Sequence, residues 1–249
     1  MANRMESWTK NAWLSLFTLL LTVGLITSQM VPASASDRQE TTQLVEKARL
    51  TLNTFMRDRD LGTFHDLLKR AQGVLIAPRL LKRDIVVGAS GCNAVFLVRD
   101  RTSGKWSEPA FYTIREPSFG LRIIGEDSEV ILLVMTDRGM GAFLGNRVRL
   151  GWDVDIAMRP VEMGEKVATA NLNADILTFS RSKELYGGVF LDGAIVSIRG
   201  DLNNAYYDKK GVSPTDILIR HDVTNLQAMN LVEDVDRRTA KPDHVIAHI

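Results

Sequence analysis

From Asp37 to Gln72 apolar side chains recur with helical spacing. Leu44, Ala48, Leu52, Phe55 and Met56 share one face, while Glu46, Lys47, Arg49, Asp58 and Arg59 fall elsewhere, which predicts an amphipathic helix. A second, short helix is expected after Gly62, with Thr63 as cap and Asp66 three residues on. Phe64, Leu67, Leu68 and Ala71 lie on its apolar face, Lys69-Arg70 in its last turn, and Gly73 is its stop.

From Val74 to about Tyr207 the pattern changes to short runs rich in Val, Ile, Phe and Thr. These are Val74–Ala77, Ile85–Ala89, Ala94–Arg99, Ala110–Ile114, Phe119–Ile124, Val130–Thr136, Leu150–Met158, Val167–Leu172, Asp175–Ser180, Gly188–Leu191 and Ala194–Arg199. The connections are too short for crossover helices, so a mostly antiparallel sheet is predicted. Val130–Met135 is apolar without alternation and should be buried on both faces. One helical turn, capped by Asp137, interrupts the strands. From Ser213 the chain turns helical again, with Ser213 as cap, Pro214 at the first helical position and Asp216 at the third. The expected fold is α+β: a curved or barrel-like, mostly antiparallel sheet with N-terminal and C-terminal helices packed on it.

The N-terminus departs from this pattern. Arg4 and Lys10 precede an uncharged apolar stretch from Ala12 to Ile26, and Ala33-x-Ala35 supplies a small-x-small cleavage pattern. Residues 1–35 read as a cleaved signal peptide, the alternative being a retained anchor helix. The mature protein is then expected in a periplasmic or extracellular space, as one domain over 36–240 with a flexible tail at 241–249; the pattern already fades from Arg237.

Composition narrows the function classes. With 31 Lys+Arg against 30 Asp+Glu the formal charge is +1, which leaves no basic excess for general nucleic-acid binding. The single cysteine, Cys92, permits neither an internal disulfide nor a multi-cysteine zinc site. Gly139-Met140-Gly141-Ala142-Phe143-Leu144-Gly145 misses the dinucleotide spacing and lacks a parallel βαβ setting. Gly88-Ala89-Ser90-Gly91 is no nucleophile elbow. His244 and His248 have ligand spacing without a third ligand nearby. Asp153 and Asp155 would share one face of a strand, most simply a solvated one. No catalytic set and no cofactor are expected; a hydrolase would have to draw on groups such as Asp153 or His65. One local feature stands out: Lys69, Arg70, Arg79, Lys82 and Arg83 place five cations in fifteen residues around a Pro78 turn, a density that suits anionic head groups.

Several segments carry a family resemblance. Gly73-Val74-Leu75-Ile76-Ala77-Pro78 resembles the Gly-Val-x-Ile-x-Pro opening of the SYLF domain family. Pro109–Thr113, Ser118–Leu121 and Val130–Met135 with Asp137-Arg138-Gly139 are similar to its central block. Arg181–Gly193, ending in Leu191-Asp192-Gly193, resembles its most specific signature, and Asn203-Asn204-Ala205-Tyr206-Tyr207 its closing Asn-x-x-Tyr-Tyr. The resemblance implies a phospholipid-binding module, with phosphoinositide and actin association in eukaryotic members and a lipid or envelope role in bacterial ones.

Residues and resemblance together lead to an expectation of a non-enzymatic protein that binds anionic phospholipid at a bacterial cell envelope. Leu52, Phe55 and Phe64 would enter the membrane interface, and Lys69, Arg70, Arg79, Lys82 and Arg83 would sit over phosphates. The alternative is an envelope or secreted protein-interaction module in which the same helices pack on the sheet. Burial of the Leu44/Leu52/Phe55 stripe separates the two.

Overall fold

The structure, a computed structural model, describes residues 33–58, 61–80, 91–115, 122–123, 128–159, 174–181 and 189–240. The chain divides into two compact units, Met1–Ser36 and Asp37–Ile249. Of the expected leader only residues 33–35 are described, as the start of helix α1 (Ala33–Arg57). The strands expected at Ile85–Ala89 and Val167–Leu172 and the tail 241–249 lie outside the described residues. No helix among the described residues is long and apolar enough to cross a membrane.

Helix α1 forms as its periodicity predicts, burying Leu44, Val45, Ala48, Leu52, Phe55 and Met56 along one side. Helix α2 (Gly62–Arg70) starts earlier than expected. Its N-cap is Leu61, which has no capping side chain, so Thr63 is an exposed residue of the first turn rather than a cap. Gly73 then opens a strand instead of ending the helix.

The strands are β1 (Gly73–Leu80), β2 (Gly91–Val98), β3 (Ala110–Arg115), β4 (Arg122–Ile123), β5 (Ser128–Val134), β6 (Arg147–Arg149), β7 (Ile156–Arg159), β8 (Ile176–Arg181), β9 (Val189–Phe190) and β10 (Ile195–Ile198). Eight of them form one curled sheet in the order β6-β10-β3-β2-β1-β5-β8-β7, while β4 pairs with β9. Every pairing is antiparallel except β7 with β8. Pro78 does not make the expected turn. It lies within β1, where the register against β5 shifts between Ala77 and Leu80, a bulge that tolerates the missing N–H and bends the strand.

Alternation along the strands gives two cores. Val74, Ile76, Val95, Leu97, Ile131 and Leu133 meet α1, α2 and two further helices, α4 (Gly200–Tyr207) and α6 (Met229–Thr239). Leu75, Ala77, Ala94, Phe96, Val130 and Leu132 meet α3 (Asp137–Leu144) and α5 (Pro214–Leu218) on the other face. Strand β5 is therefore buried on both sides, as its unbroken apolar run predicts. Gly73 belongs to this packing: a Cβ there would come within 2.8 Å of the Phe96 ring.

Three expectations change. The run Leu150–Met158 is not one strand but a turn followed by β7, so Asp153 and Asp155 do not share a strand face. Thr136, not Asp137, caps α3, its Oγ1 accepting from the Gly139 N–H at 3.1 Å. The segment ending in Tyr207 is helical, and α6 continues through Arg237 to a buried Thr239 where the pattern had faded. The capping box at Ser213 and Asp216 forms as expected.

Candidate functional site

The two predicted features of a lipid-contact site separate in the structure. Leu52, Phe55 and Phe64 are completely buried. Phe64 lies between Phe55, at 5.8 Å, and Phe179 of β8, at 5.0 Å between ring centroids. Removing three such side chains from the core would cost roughly 5–9 kcal/mol at about 1.5–3 kcal/mol each, comparable to the whole stability of a domain. The stripe is a packing surface in the folded state.

The cations face outward. Lys69 and Arg70 are exposed in the last turn of α2, with Lys69 Nζ 3.3 Å from Asp66. Their position complements the negative end of the helix dipole. The backbone of Arg79 runs in β1; its side chain, Lys82 and Arg83 lie outside the described residues.

Beside Lys69 the connection from β2 to β3 forms a tight structural knot. Asp100 Oδ1 accepts from the Ser103 and Thr102 amides at 2.6 and 3.1 Å. Hydrogen bonds from Ser103, then Thr102, hold its carboxyl below the ordinary carboxylate range. Arg99 donates to three carbonyls: Lys69 at 2.7 Å, Gly104 at 2.9 Å and Thr239 at 3.2 Å. One guanidinium therefore closes the C-termini of α2 and α6 and the turn between them, supplying partners that helix ends otherwise lack. Trp106, buried beneath, donates from Nε1 to Thr239 Oγ1 at 2.8 Å, and its amide donates to Asp236 Oδ1 at 2.9 Å.

Residues 99–105 of this connection line an open cavity of about 700 Å³, with Arg99, Arg101, Ser103, Lys105 and, from α6, Asp236 on its walls. Its charge is largely committed. Arg99 is spent on carbonyls, and Arg101 pairs with Asp137 and donates to Gln72 Oε1 at 2.9 Å. Lys105 remains exposed on the rim. The arrangement offers an anion surface charge at Lys69, Arg70 and Lys105, but no enclosed phosphate cradle.

Groups that could have formed a catalytic set are placed apart or occupied. His65 Nε2 lies 2.8 Å from the Met56 carbonyl. Cys92 is half-buried in β2, and Asp153 binds the Arg149 amide at 2.7 Å. Asp175 is buried where β8 begins. Burial alone would raise its carboxyl, but Arg138 at 2.7 Å, Thr136 at 2.5 Å and the Asp155 amide at 2.9 Å outweigh it and hold it below the ordinary range. With these donors in place it acts as a tie between β5, β7 and β8. No group of three metal-ligating side chains occurs among the described residues. Arg99, Trp106 and Asp175 escaped the sequence reading because each has a deciding partner 30 or more residues away in the chain (Lys69, Thr239 and Arg138), with no local motif to mark it.

Comparison with known proteins adds a family. Residues 115–238 match the Ysc84 model, described as Las17-binding protein actin regulator. The chain is 29% identical over 178 residues to SH3 domain-containing YSC84-like protein 1 of Pongo abelii, covering 70% of this chain and 51% of that protein. It is 28% identical over 177 residues to the Homo sapiens protein of the same name, with the same coverage. LAS seventeen-binding protein 3 of Saccharomyces cerevisiae (strain ATCC 204508 / S288c) is 25% identical over 146 residues, 57% of this chain and 31% of its own length. The chain spans about half the length of the first of these relatives and less of the yeast protein. The motifs read from Gly73 onward and these matches agree: the chain belongs to the Ysc84, or SYLF, domain family.

Proposed function

We propose that this protein is a non-enzymatic module of a bacterial cell envelope, exported by residues 1–35, that binds anionic phospholipid peripherally. The observation that carries the mode of binding is the division of labour on α1 and α2. Their apolar stripe is consumed by the core, while Lys69 and Arg70 remain at the surface. Contact through such a surface is governed by charge, each cation near an anionic membrane contributing ~1 kcal/mol, and does not require α1 to leave the sheet. The SYLF resemblance supports phospholipid as the ligand class.

Co-sedimentation of the protein with phosphatidylglycerol-containing and pure phosphatidylcholine vesicles tests this. Recovery should favour the anionic vesicles and fall as salt rises from about 0.1 M to about 1 M, where the Debye length shrinks from ~10 to ~3 Å. Equal recovery on both, indifferent to salt, would contradict it. A second reading, a protein-interaction module, is favoured by the same burial of the stripe and by the binding partner named for the yeast relative. It predicts no vesicle recovery at any composition.

A further inference from the structure

The end of the sheet opposite the β2–β3 connection carries charge that no described contact neutralises. Ile195 of β10 pairs with Arg149 of β6 on one side and Arg115 of β3 on the other. Residues opposed across antiparallel strands point to the same face. Arg149, Ile195 and Arg115 thus form a row across three strands, spanning roughly 10 Å at the ~4.8 Å strand spacing. Arg147, two residues before Arg149, lies on the same face. The intervening positions Val148, Val196 and Ile114 are buried on the other face, which fixes the orientation.

Arg115 and Arg147 are exposed and Arg149 is half-buried, and none of the three has a carboxylate partner among the described residues. The Arg149 Nε–H is buried without an acceptor. Beside the row, the turn after β6 presents Trp152 with 72% of its surface exposed, its ring centroid 4.4 Å from the Arg149 guanidinium carbon.

This turn is built to hold that side chain out. Gly151 has φ +78°, and Asp192 Oδ1 occupies the space a Cβ would need, only 1.7 Å from its ideal position. The Leu150 amide donates to Ala194 and the Gly193 amide to Leu150, both at 2.8 Å. Leu191-Asp192-Gly193, the close of the family signature, therefore supports the turn. Asp153 and Asp192 are its carboxylates, one bound to the Arg149 amide and the other set over Gly151.

We propose that this corner is the surface through which the domain docks on anionic phospholipid, Arg115, Arg147 and Arg149 meeting phosphate oxygens while Trp152 seats at head-group level. The inference rests on the phospholipid reading above but moves the contact from Lys69 and Arg70 to the opposite end of the sheet. Arginine forks match phosphate oxygens in pairs. An indole is at home where an apolar body and a polar tip meet two phases. The near-neutral whole chain argues against a nucleic acid as the occupant.

The test uses the full chain and vesicles containing phosphatidylglycerol. Arg115→Gln/Arg147→Gln alters two exposed side chains and should lower the partition coefficient roughly 25-fold, about fivefold per cation. Lys209→Gln/Lys210→Gln removes equal charge from the loop after α4 and should change it less than twofold. Trp152→Ala should weaken binding to the vesicles while leaving retention by soluble polyglutamate unaltered. Circular dichroism checks that each variant is folded. Wild-type-like partitioning of Arg115→Gln/Arg147→Gln, with loss on Lys69→Gln/Arg70→Gln instead, would overturn the location and leave the phospholipid reading standing. Tight binding to polyglutamate with no vesicle recovery by the wild type would overturn both, identifying an acidic protein partner.

Discussion

Glu108 lies where the chain enters β3, half-buried against α4, with Oε2 accepting from the Asn225 amide at 3.3 Å. Burial pushes its carboxyl up to about 7 from 4.5, against the opposing pull of that amide. The Tyr206 hydroxyl nearby is buried without a partner, and burial and the Glu108 charge together push this phenol up. Between pH 4.5 and 7 the unfolded chain releases the Glu108 proton while the folded chain keeps it. Stability must therefore fall as pH rises through that window and reach its full penalty above 7. At 1.36 kcal/mol per unit the difference corresponds to about 3 kcal/mol; partial solvent access screens this to about 1–2 kcal/mol. Glu108→Gln removes the charge and keeps a hydrogen-bonding oxygen. It should stabilise the protein by about 1–2 kcal/mol at pH 8, raising Tm by roughly 2–8 °C for a domain of this size, and change little at pH 4. Thermal unfolding followed by circular dichroism at pH 4, 6 and 8 checks this. A gain that is the same at all three pH values, or a loss at pH 8, would refute the argument.

Phe64→Ala should cost about 3–5 kcal/mol by opening a cavity between Phe55 and Phe179, read as a lower urea midpoint. Unaltered stability would mean that the stripe is not a packing surface. Arg99→Lys keeps the charge but cannot reach three carbonyls at once, and should cost about 1–3 kcal/mol. Hydrogen exchange should quicken in the last turns of α2 and α6 together, whereas an effect confined to the hairpin would show that the two helix ends are held independently.

Local signals carried much of the architecture. The spacing of Leu44, Ala48, Leu52 and Phe55 predicts α1, the Ser213-Asp216 pair predicts a capping box, and the unbroken run in β5 predicts burial on both faces, because each signal and its cause lie within one element. What failed depended on distant contacts. The break at Gly151 follows from a positive φ and from Asp192, 41 positions later. Helix α4 begins at Gly200, after an N-cap residue, Arg199, that makes no side-chain cap, so nothing in Asn203–Tyr207 announces it. The candidate site shows the same limit: periodicity identifies Leu52, Phe55 and Phe64 as one apolar face but not whether protein or lipid covers it. Here that cover is β8 and its neighbours. The arginine row is invisible in sequence because Arg115 comes to Arg147 and Arg149 only through β10, where Ile195 pairs with Arg115 and Arg149 and Ser197 with Arg147.

The bond from the Trp106 indole to Thr239 bears on the order in which the domain assembles. Pairing across 133 positions is among the most non-local contacts of the fold, and its loop-closure cost is met before the contact stabilises anything, so it comes late in assembly. A chain in which α6 has not yet docked has its strands but lacks the Thr239 partner of the buried Trp106. Closure of this side of the core thus waits on α6, whose last turn serves as the latch through Thr239.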